Sequence, residues 1–248
     1  MRFDAILCDI DGCLGPETNA PFDVPHLSTI AQYNREAIRT RSQPVLTLCS
    51  GRPQPFAEAL CRVIGNSLLP CIAEMGVWLY DPANNRFMID PSILPEHKRW
   101  IREATGYIEE TWLPKGLIIQ PGKSASISLW HADTAYLMSL KPILAQHFAS
   151  KGWNLRISSS VAWINCDLAH VSKGTGIERF RQVTGFTTPR LAGIGDTMGD
   201  IAIREQVSYF AVPSNAQDEL KRHADYISPH AEIEGVLDII KHLNSMPG

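Results

Sequence analysis

The stretch that decides the fold is FDAILCDIDGCLG, at residues 3–15. Its apolar part, residues 3–8, has the length and composition of a short strand. The acidic motif DIDG follows at once at residues 9–12, and a loop rich in Gly and Pro extends to Pro25. A helical apolar pattern then covers about residues 26–41. We therefore predict a strand, an acidic turn and a helix in this order.

The same alternation of apolar runs and helical patterns recurs along the chain. A second strand is predicted at residues 44–49, and a hairpin at 77–80 and 87–89 around two asparagines. Further strands at residues 191–194 and 209–212 are each followed by helical patterns. Such alternation is typical of a parallel sheet covered by helices. The predicted fold class is α/β, a doubly wound parallel sheet with an inserted α+β cap domain.

The cap is predicted from a change in the sequence pattern at about residue 81. Three prolines punctuate this part of the chain, and the pattern after them reads helix, strand, strand, helix, strand, strand. We interpret the segment as an insertion with its own small sheet, whose last strands are expected at 153–158 and 161–166. The predicted domains are a catalytic core at 1–80 plus 169–248 and a mobile cap at 81–168, hinged near Pro82 and residues 169–172.

The composition indicates a globular chain with a sizeable core. Of the 248 residues 44% are hydrophobic and 20% are charged, which excludes wholesale disorder. A net charge of −3 and a pI near 6.2 exclude the basic surface of a general nucleic-acid binder. No apolar run approaches the roughly 18 residues of a membrane span, and an acid at position 4 comes too early for a signal peptide.

The six cysteines include no Cys-x-x-Cys pair, and most lie in apolar stretches. We expect reduced thiols that pack as small hydrophobic groups, rather than a disulfide framework or a zinc site. This use of cysteine favours a cytoplasmic protein.

Polar clusters follow three of the predicted strands. They are DIDG at residues 9–12, SGR at 50–52 and GDTMGD at 195–200, and a Lys-Gly pair at 173–174 opens a later helix. The carboxyl ends of parallel strands near a topological switch point form the ligand crevice of an open sheet, so we expect these groups to meet. Acids that share a crevice repel each other, and Mg²⁺ is the usual partner of carboxylates plus phosphate.

This set of groups fits phosphoryl transfer. A carboxylate can attack phosphorus to form an aspartyl-phosphate. An acid two residues further on can protonate the leaving oxygen and then deprotonate the attacking water. A lysine and the backbone N–H groups around Ser50 can neutralise the phosphate oxygens.

In their order and spacing the four motifs resemble those of the haloacid dehalogenase superfamily, over nearly the whole chain. The insertion resembles the larger, C2-type cap of Cof-like, sucrose-phosphate and mannosyl-phosphoglycerate phosphatases and of phosphomannomutase. The resemblance implies Asp9 as nucleophile, Asp11 as general acid and base, and Mg²⁺ as cofactor. Dehalogenating members usually lack the second acid, so Asp11 favours phosphoryl transfer. The site residues so implied are Ser50, Gly51, Arg52 and Lys173 for substrate, and Asp9, Asp11 (through its carbonyl), Asp196 and Asp200 for the metal.

Three positions depart from the family pattern, and none removes an assigned charge. Cys13 stands where Thr or Val is common, residues 74–76 (Glu-Met-Gly) replace a frequent Asn-Gly motif, and Gly199 stands where Asn often precedes the last acid. Glu74 is either an acid that supports the site or a solvated strand end. The cap residues best suited to read a leaving group are Lys123, Trp130, His131, Arg156 and Trp163.

The leading hypothesis is a Mg²⁺-dependent phosphatase for a small phosphorylated metabolite. Sugar phosphates are its first expected substrates, and glycolate- or glycerate-type phosphates the second. The alternatives are a phosphomannomutase-like phosphomutase and, outside enzymes, a sensor that only binds phosphorylated metabolites. No nucleic-acid or membrane partner is expected, and the chain is expected to be a monomer or a homodimer.

Overall fold

The computed structural model describes residues 2–160 and 162–247. Its strands and helices alternate along most of the chain. The strands are β1 Ala5–Cys8, β2 Val45–Leu48, β3 Cys71–Ala73, β4 Trp78–Asp81, β5 Arg86–Ile89, β6 Ile118–Ile119, β7 Ser126–Trp130, β8 Leu155–Ser159, β9 Trp163–Leu168, β10 Leu191–Ile194, β11 Tyr209–Val212 and β12 Tyr226–Ile227. The helices are α1 Val24–Thr40, α2 Gln54–Val63, α3 Pro95–Trp112, α4 Thr134–Ser150, α5 Lys173–Thr184, α6 Ile201–Arg204, α7 Asp218–Lys221 and α8 Glu232–Ser245.

A five-stranded parallel sheet forms the centre of the fold, in the order β12-β11-β10-β1-β2. The first strand lies between β2 and β10, because the chain builds β2 on one side of it and returns after the insertion to build β10 on the other. The topological switch point therefore lies between β1 and β10, and the residues that follow these two strands face one crevice.

Helices cover both faces of this sheet, which confirms the doubly wound prediction. On one face, Ile6 and Leu48 of the strands belong to a buried apolar cluster with side chains of α1, α2 and α8. On the other face, Leu7 and Val45 pack in a cluster with α5, α6 and α7. Strands β1 and β2 are both buried along their whole length; β1 is apolar throughout, and β2 is apolar except for Thr47.

A smaller antiparallel sheet, β3-β4-β5, continues from the edge of the central one. A parallel bridge between Cys49 and Ile72 connects the two sheets. The predicted hairpin is confirmed as the pair β4 and β5, and Asn85 in its turn has a φ of 48°. Asparagine tolerates this left-handed conformation better than most residues, which explains its place in the turn.

The cap follows the predicted order of α3, β6, β7, α4, β8 and β9, and its strands form one antiparallel sheet, β6-β7-β9-β8. Apolar side chains on one face, among them Ile127 and Ile164, pack with α3 and α4 in a separate buried cluster. The predicted strand at 161–166 is observed as β9, while Val161 lies outside the described residues. The domain boundaries at 80/81 and 168/169 stay a prediction.

The six cysteines are all free and buried, as expected of thiols that pack as small hydrophobic groups. Among the helices of residues 2–160 and 162–247, none is both long and apolar enough to cross a membrane.

Helix α5 packs unusually close to the turn at residues 74–76. A Cβ at Gly176 would lie 2.7 Å from Ile72 Cγ2 and 2.9 Å from Gly76 Cα. We expect Gly176→Ala to lower the melting temperature by about 3–10 °C, because overpacking costs about 1–3 kcal/mol. Gly106→Ala in α3 is the matched control, since its Cβ would meet nothing within 4 Å. Its melting temperature should be unchanged or higher, because alanine favours a helix. Equal shifts in thermal unfolding of the two variants would contradict this account.

Candidate active site

The polar residues that follow β1, β2 and β10 open into one cavity of about 370 Å³. Its wall also includes side chains of the cap. The described lining residues from the core are Asp9, Asp11, Glu17, Ser50, Gly51, Arg52, Met75, Lys173, Asp196, Thr197, Met198, Gly199 and Gln217. Those from the cap are Gln120, Lys123, Ser128, Ser158, Ser159, Ser160, Trp163 and Asn165.

Asp9 lies at the end of β1 with its two carboxylate oxygens in different surroundings. Oδ2 is 2.8 Å from Lys173 Nζ, whereas Oδ1 is buried and has no hydrogen-bond partner among the described residues. Burial raises the pKa of Asp9 to about 6; Lys173 lowers it, and Asp200 and Asp11 raise it further. One oxygen of this carboxylate is thus fixed in place, and the other is left free to react or to bind a cation.

Lys173 is the buried cation around which the acids gather. It begins α5, and its Nζ donates to Asp200 Oδ1 at 2.6 Å as well as contacting Asp9. Burial opposes the charge of Lys173, but Asp200 and Asp9 outweigh burial and hold its pKa well above the ordinary value. Asp200 Oδ2 accepts from the backbone N–H groups of Asp196 and Thr197, at 3.0 and 3.1 Å. Asp200 therefore links the lysine to the loop after β10.

Asp196 follows β10 and approaches the first motif closely. A Cβ at Gly12 would lie 1.9 Å from Asp196 Oδ2, and Gly12 has a φ of +70°. Only glycine satisfies both constraints at this position. Burial first, then Asp200 and Asp9, raises the pKa of Asp196 to about 9, and its Oδ1 is buried without a partner among the described residues.

These acids form the one group of three potential metal ligands found in the described part of the chain. Oxygens of Asp9, Asp196 and Asp200 lie within 4.8 Å of one another. Two buried oxygens without partners, Asp9 Oδ1 and Asp196 Oδ1, fit a hard divalent cation such as Mg²⁺. Asp200 already accepts hydrogen bonds on both oxygens, so its part in metal binding would be secondary to that of the other two.

The Asp11 side chain points away from this cluster and pairs with Arg52. Arg52 Nε donates to Asp11 Oδ2 at 2.7 Å and its terminal nitrogen to Oδ1 at 2.5 Å, in a two-pronged arrangement. The guanidinium also lies over the Phe56 ring, 5.0 Å from its centroid. Of the predicted metal ligands, Asp11 could therefore contribute only its backbone carbonyl in this conformation. Arg52, which the resemblance implies as a substrate residue, orders an acid here.

The predicted phosphate-binding motif at residues 50–52 lines the cavity, although two of its backbone N–H donors already have partners. The Ser50 N–H donates to the Ile72 carbonyl at 3.0 Å, and the Arg52 N–H donates to Ser50 Oγ at 3.3 Å. The Ser50 hydroxyl proton and the Gly51 N–H have no partner among the described residues. These two groups, rather than the Ser50 N–H, are the donors available to an anion.

Glu17 and Gln217 are among the lining residues that sequence reasoning missed. Burial, Asp11 and Asp9 together raise the pKa of Glu17 to about 7, while Arg52 lowers it. Its position in the loop after the first motif was the only signal available. Gln217 accepts from the Met198 N–H at 2.9 Å through its side-chain oxygen, and no motif marked it.

Glu74 joins the core to the cap. It is fully buried, and its Oε1 accepts from the N–H groups of Ser124 and Ala125, at 2.8 and 2.7 Å, and from the Ser126 hydroxyl at 3.0 Å. Its Oε2 accepts from the Ser124 hydroxyl at 2.9 Å. Glu74 and Met75 both have left-handed backbone conformations, with φ of 50° and 56°. This carboxylate is thus neither solvated nor in the catalytic cluster, and we name these four bonds the Glu74 latch.

Of the five cap residues predicted to read a leaving group, Lys123 and Trp163 line the cavity, whereas Trp130, His131 and Arg156 do not. Arg156 instead donates to the carbonyls of Ala169 and Val171, at 3.4 and 2.9 Å. It therefore contacts the connection between cap and core.

The raised pKa values of Asp9 and Asp196 predict how metal-free protein responds to pH. Folding raises the pKa of Asp9 from the ordinary 3.8 to about 6 and that of Asp196 to about 9. Between about pH 4 and pH 9 the folded state therefore binds more protons than the unfolded state. The stability that these two groups contribute is then fully present below about pH 4 and falls as pH rises toward 9. We expect the melting temperature in chelator to fall between pH 5 and pH 8.5, and Mg²⁺ to raise it more at pH 8 than at pH 5.5.

Asp196→Asn should flatten this pH dependence and remove most of the Mg²⁺ shift. Asp218→Asn is the matched control, because the Asp218 side chain is 90% exposed. This variant should keep both the pH dependence of the melting temperature and its shift with Mg²⁺. A melting temperature that rises with pH in chelator would contradict the expectation.

The Glu74 latch yields a stability prediction. Glu74→Ala leaves the buried N–H of Ala125 and the hydroxyl of Ser126 without acceptors, at about 1–3 kcal/mol each. We expect a loss of about 5 °C or more in melting temperature. Glu74→Gln keeps an oxygen for these donors and should lose less than half as much. Glu110→Ala on the exposed side of α3 serves as control, and a shift there equal to that of Glu74→Ala would contradict the assignment.

Comparisons with known proteins agree with the motifs. The family model described as haloacid dehalogenase-like hydrolase matches residues 126–240. A phosphoglycolate phosphatase of Archaeoglobus fulgidus is 25% identical over 239 residues, 96% of this chain and 96% of that protein. A phosphoglycolate phosphatase of Methanothrix thermoacetophila is 36% identical over 75 residues, which are 30% of this chain and span only 34% of that protein.

The fold is shared with solved structures. The sucrose-phosphatase of Synechocystis sp. PCC6803, solved with sucrose and phosphate, superposes with a TM-score of 0.71 at 20% identity, over 98% of this chain and 99% of that chain. The matched segment at residues 126–240 includes Lys173, Asp196 and Asp200, three residues of the cluster described above. The chain thus resembles the haloacid dehalogenase-like hydrolases in sequence over residues 126–240, and it shares its fold with the sucrose-phosphatase over nearly its whole length.

Proposed function

We propose that this protein is a Mg²⁺-dependent phosphatase that hydrolyses a small phosphorylated metabolite through an aspartyl-phosphate intermediate. The observation that carries the proposal is the asymmetry of Asp9. One oxygen is held 2.8 Å from Lys173 Nζ, and the other is buried without a partner at the wall of the cavity. A carboxylate held in this way is oriented to attack a phosphorus atom.

In the first step, Asp9 attacks the phosphorus and the bond to the leaving alcohol oxygen breaks. Lys173 and the free donors at Ser50 and Gly51 are positioned to offset the charge on the phosphoryl oxygens. Asp11 is proposed to give its proton to the leaving oxygen. The products of this step are the free alcohol and an acyl phosphate on Asp9.

In the second step, water attacks the acyl phosphate and Asp11 takes its proton, which regenerates Asp9 and releases inorganic phosphate. The pair with Arg52 supports this assignment in part, because it orients the Asp11 carboxylate.

The metal would be held by Asp9, Asp196 and the Asp11 carbonyl, with Asp200 in support. When bound, Mg²⁺ supplies positive charge that lets the carboxylates and a phosphate dianion share the site. The cavity of about 370 Å³ is near the lower end of ligand pockets and supports a small substrate.

The named relatives support the same reaction class, since the curated proteins quoted above are phosphoglycolate phosphatases and the solved neighbour is a sucrose-phosphatase. Phosphoglycolate is the smaller substrate and suits the cavity better than a disaccharide phosphate. The first expectation from sequence, a sugar phosphate, stays a prediction beside it.

The test is phosphate release from a panel of phosphate monoesters with Mg²⁺, for wild type and Asp9→Asn. We expect Asp9→Asn to lose at least about a thousandfold in kcat on every ester, because an amide is a poor nucleophile. Its melting temperature should stay close to that of wild type. Asp218→Asn, the same chemical change on the surface, should keep full activity. Turnover by Asp9→Asn at the wild-type rate would disprove the assignment.

A further inference from the structure

The cap contributes a cation to the cavity, opposite the acids of the core. Lys123 lines the cavity, and in the described part of the chain no carboxylate oxygen lies within 4.0 Å of its Nζ. Its one hydrogen bond there runs to the Ser128 hydroxyl, at 2.5 Å. An ammonium has three N–H donors, so two are left for a ligand.

The hydrogen bonds behind Lys123 have a fixed direction. An ammonium can only donate, so the Ser128 hydroxyl accepts from Lys123 and directs its own proton to the side-chain oxygen of Asn165. Asn165 lines the same cavity, and its amide N–H groups have no partner in the described part of the chain. Lys123 and Asn165 therefore both offer donors to the cavity, from an ammonium and from a neutral amide.

Two neighbouring donor groups, one of them positively charged, suit an anion with two acceptor oxygens. We propose that Lys123 and Asn165 form a specificity subsite for a carboxylate on the leaving alcohol, so that the preferred substrates are short phosphorylated hydroxy acids. The proposal rests on the proposed phosphatase function and names the substrate class of that same site.

Lys123 also lies near two buried acids, and neither one occupies its donors. Glu74 already accepts four hydrogen bonds in its latch. Burial raises the pKa of Asp167, and Lys123 is the charge that most lowers it. The cation within ion-pair distance of Asp167, however, is Arg156, with a terminal nitrogen 3.6 Å from Oδ2. Burial lowers the pKa of Lys123, while Asp167 and Glu74 raise it. These acids support the charge of Lys123 from beyond ion-pair distance and leave its donors free.

The Glu74 latch holds the segment that carries Lys123. The latched residues 124–126 follow Lys123 directly in the chain, and Trp78 Nε1 of the core donates to Ser124 Oγ at 2.7 Å. Bonds from the core therefore hold the backbone next to Lys123, in the wall of the cavity that Asp9 also lines. Short substrates that span the two groups would be selected over longer ones.

The experiment compares 2-phosphoglycolate with 2-hydroxyethyl phosphate, which have the same length but end in a carboxylate and a neutral hydroxyl. We expect wild type to prefer phosphoglycolate at least about tenfold in kcat/KM. Lys123→Met should lower kcat/KM for phosphoglycolate by about 10- to 100-fold, mainly through KM, as expected for loss of a charged hydrogen bond. Its activity on 2-hydroxyethyl phosphate should change by less than about threefold.

A second variant and a control keep the test independent of folding. Asn165→Asp keeps the acceptor for Ser128 but adds a negative charge. It should therefore also lower kcat/KM for phosphoglycolate but not for 2-hydroxyethyl phosphate. Lys151→Met, at an exposed position after α4, should leave both esters unchanged. The subsite proposal alone would be overturned if Lys123→Met lost kcat/KM equally on both esters. It would also be overturned if wild type hydrolysed other esters but showed no preference for phosphoglycolate over 2-hydroxyethyl phosphate. Absence of phosphate release from every ester would contradict the phosphatase proposal as well.

Discussion

The structure depends on one buried ammonium among buried carboxylates. Lys173 contacts Asp9 and Asp200 at 2.8 and 2.6 Å, and Asp196 lies in the same group of oxygens. Isolated charges of this kind could not be buried, because desolvation would cost more than the fold can supply. Their arrangement is feasible because three segments far apart in sequence, after β1, after β10 and at the start of α5, meet at one switch point. The central sheet is what brings them together.

Much of the fold could be predicted from periodicity alone. Strands such as β1 and β10 are short, apolar and followed by glycine and aspartate, which is a strong local signal. The doubly wound sheet, the hairpin β4–β5 and the element order of the cap were all confirmed in this way. Convergence of the acids followed from topology, since the carboxyl ends of adjacent parallel strands must lie together. No distance was needed to expect that Asp9 and Asp196 would be neighbours.

The remaining features are determined by tertiary contacts, for which the sequence has no periodic signal. Arg52 could reach several partners, and only the path of the chain after β2 decides that it pairs with Asp11. Glu74 could equally have faced water, and its partners are 50 or more residues away in the chain. Arg156 looked like a ligand-reading residue, yet its guanidinium is used by backbone carbonyls at the exit from the cap. Long polar side chains have many possible partners, and the packing of the chain decides which partner each of them contacts.

The Glu74 latch has a consequence for how such proteins diversify. Exchange of inserted segments between relatives is a simple route to new substrates only if an insertion carries all of its own supports. Here the acceptor that organises residues 124–126 belongs to the core, in a turn where it adopts a left-handed backbone. In a new core, two N–H groups and two hydroxyls of the transplanted insertion would need a carboxylate acceptor that the new core has to supply. Ancestral recombination or laboratory chimaeras at this junction should therefore succeed only when the Glu-Met-Gly turn moves together with the insertion.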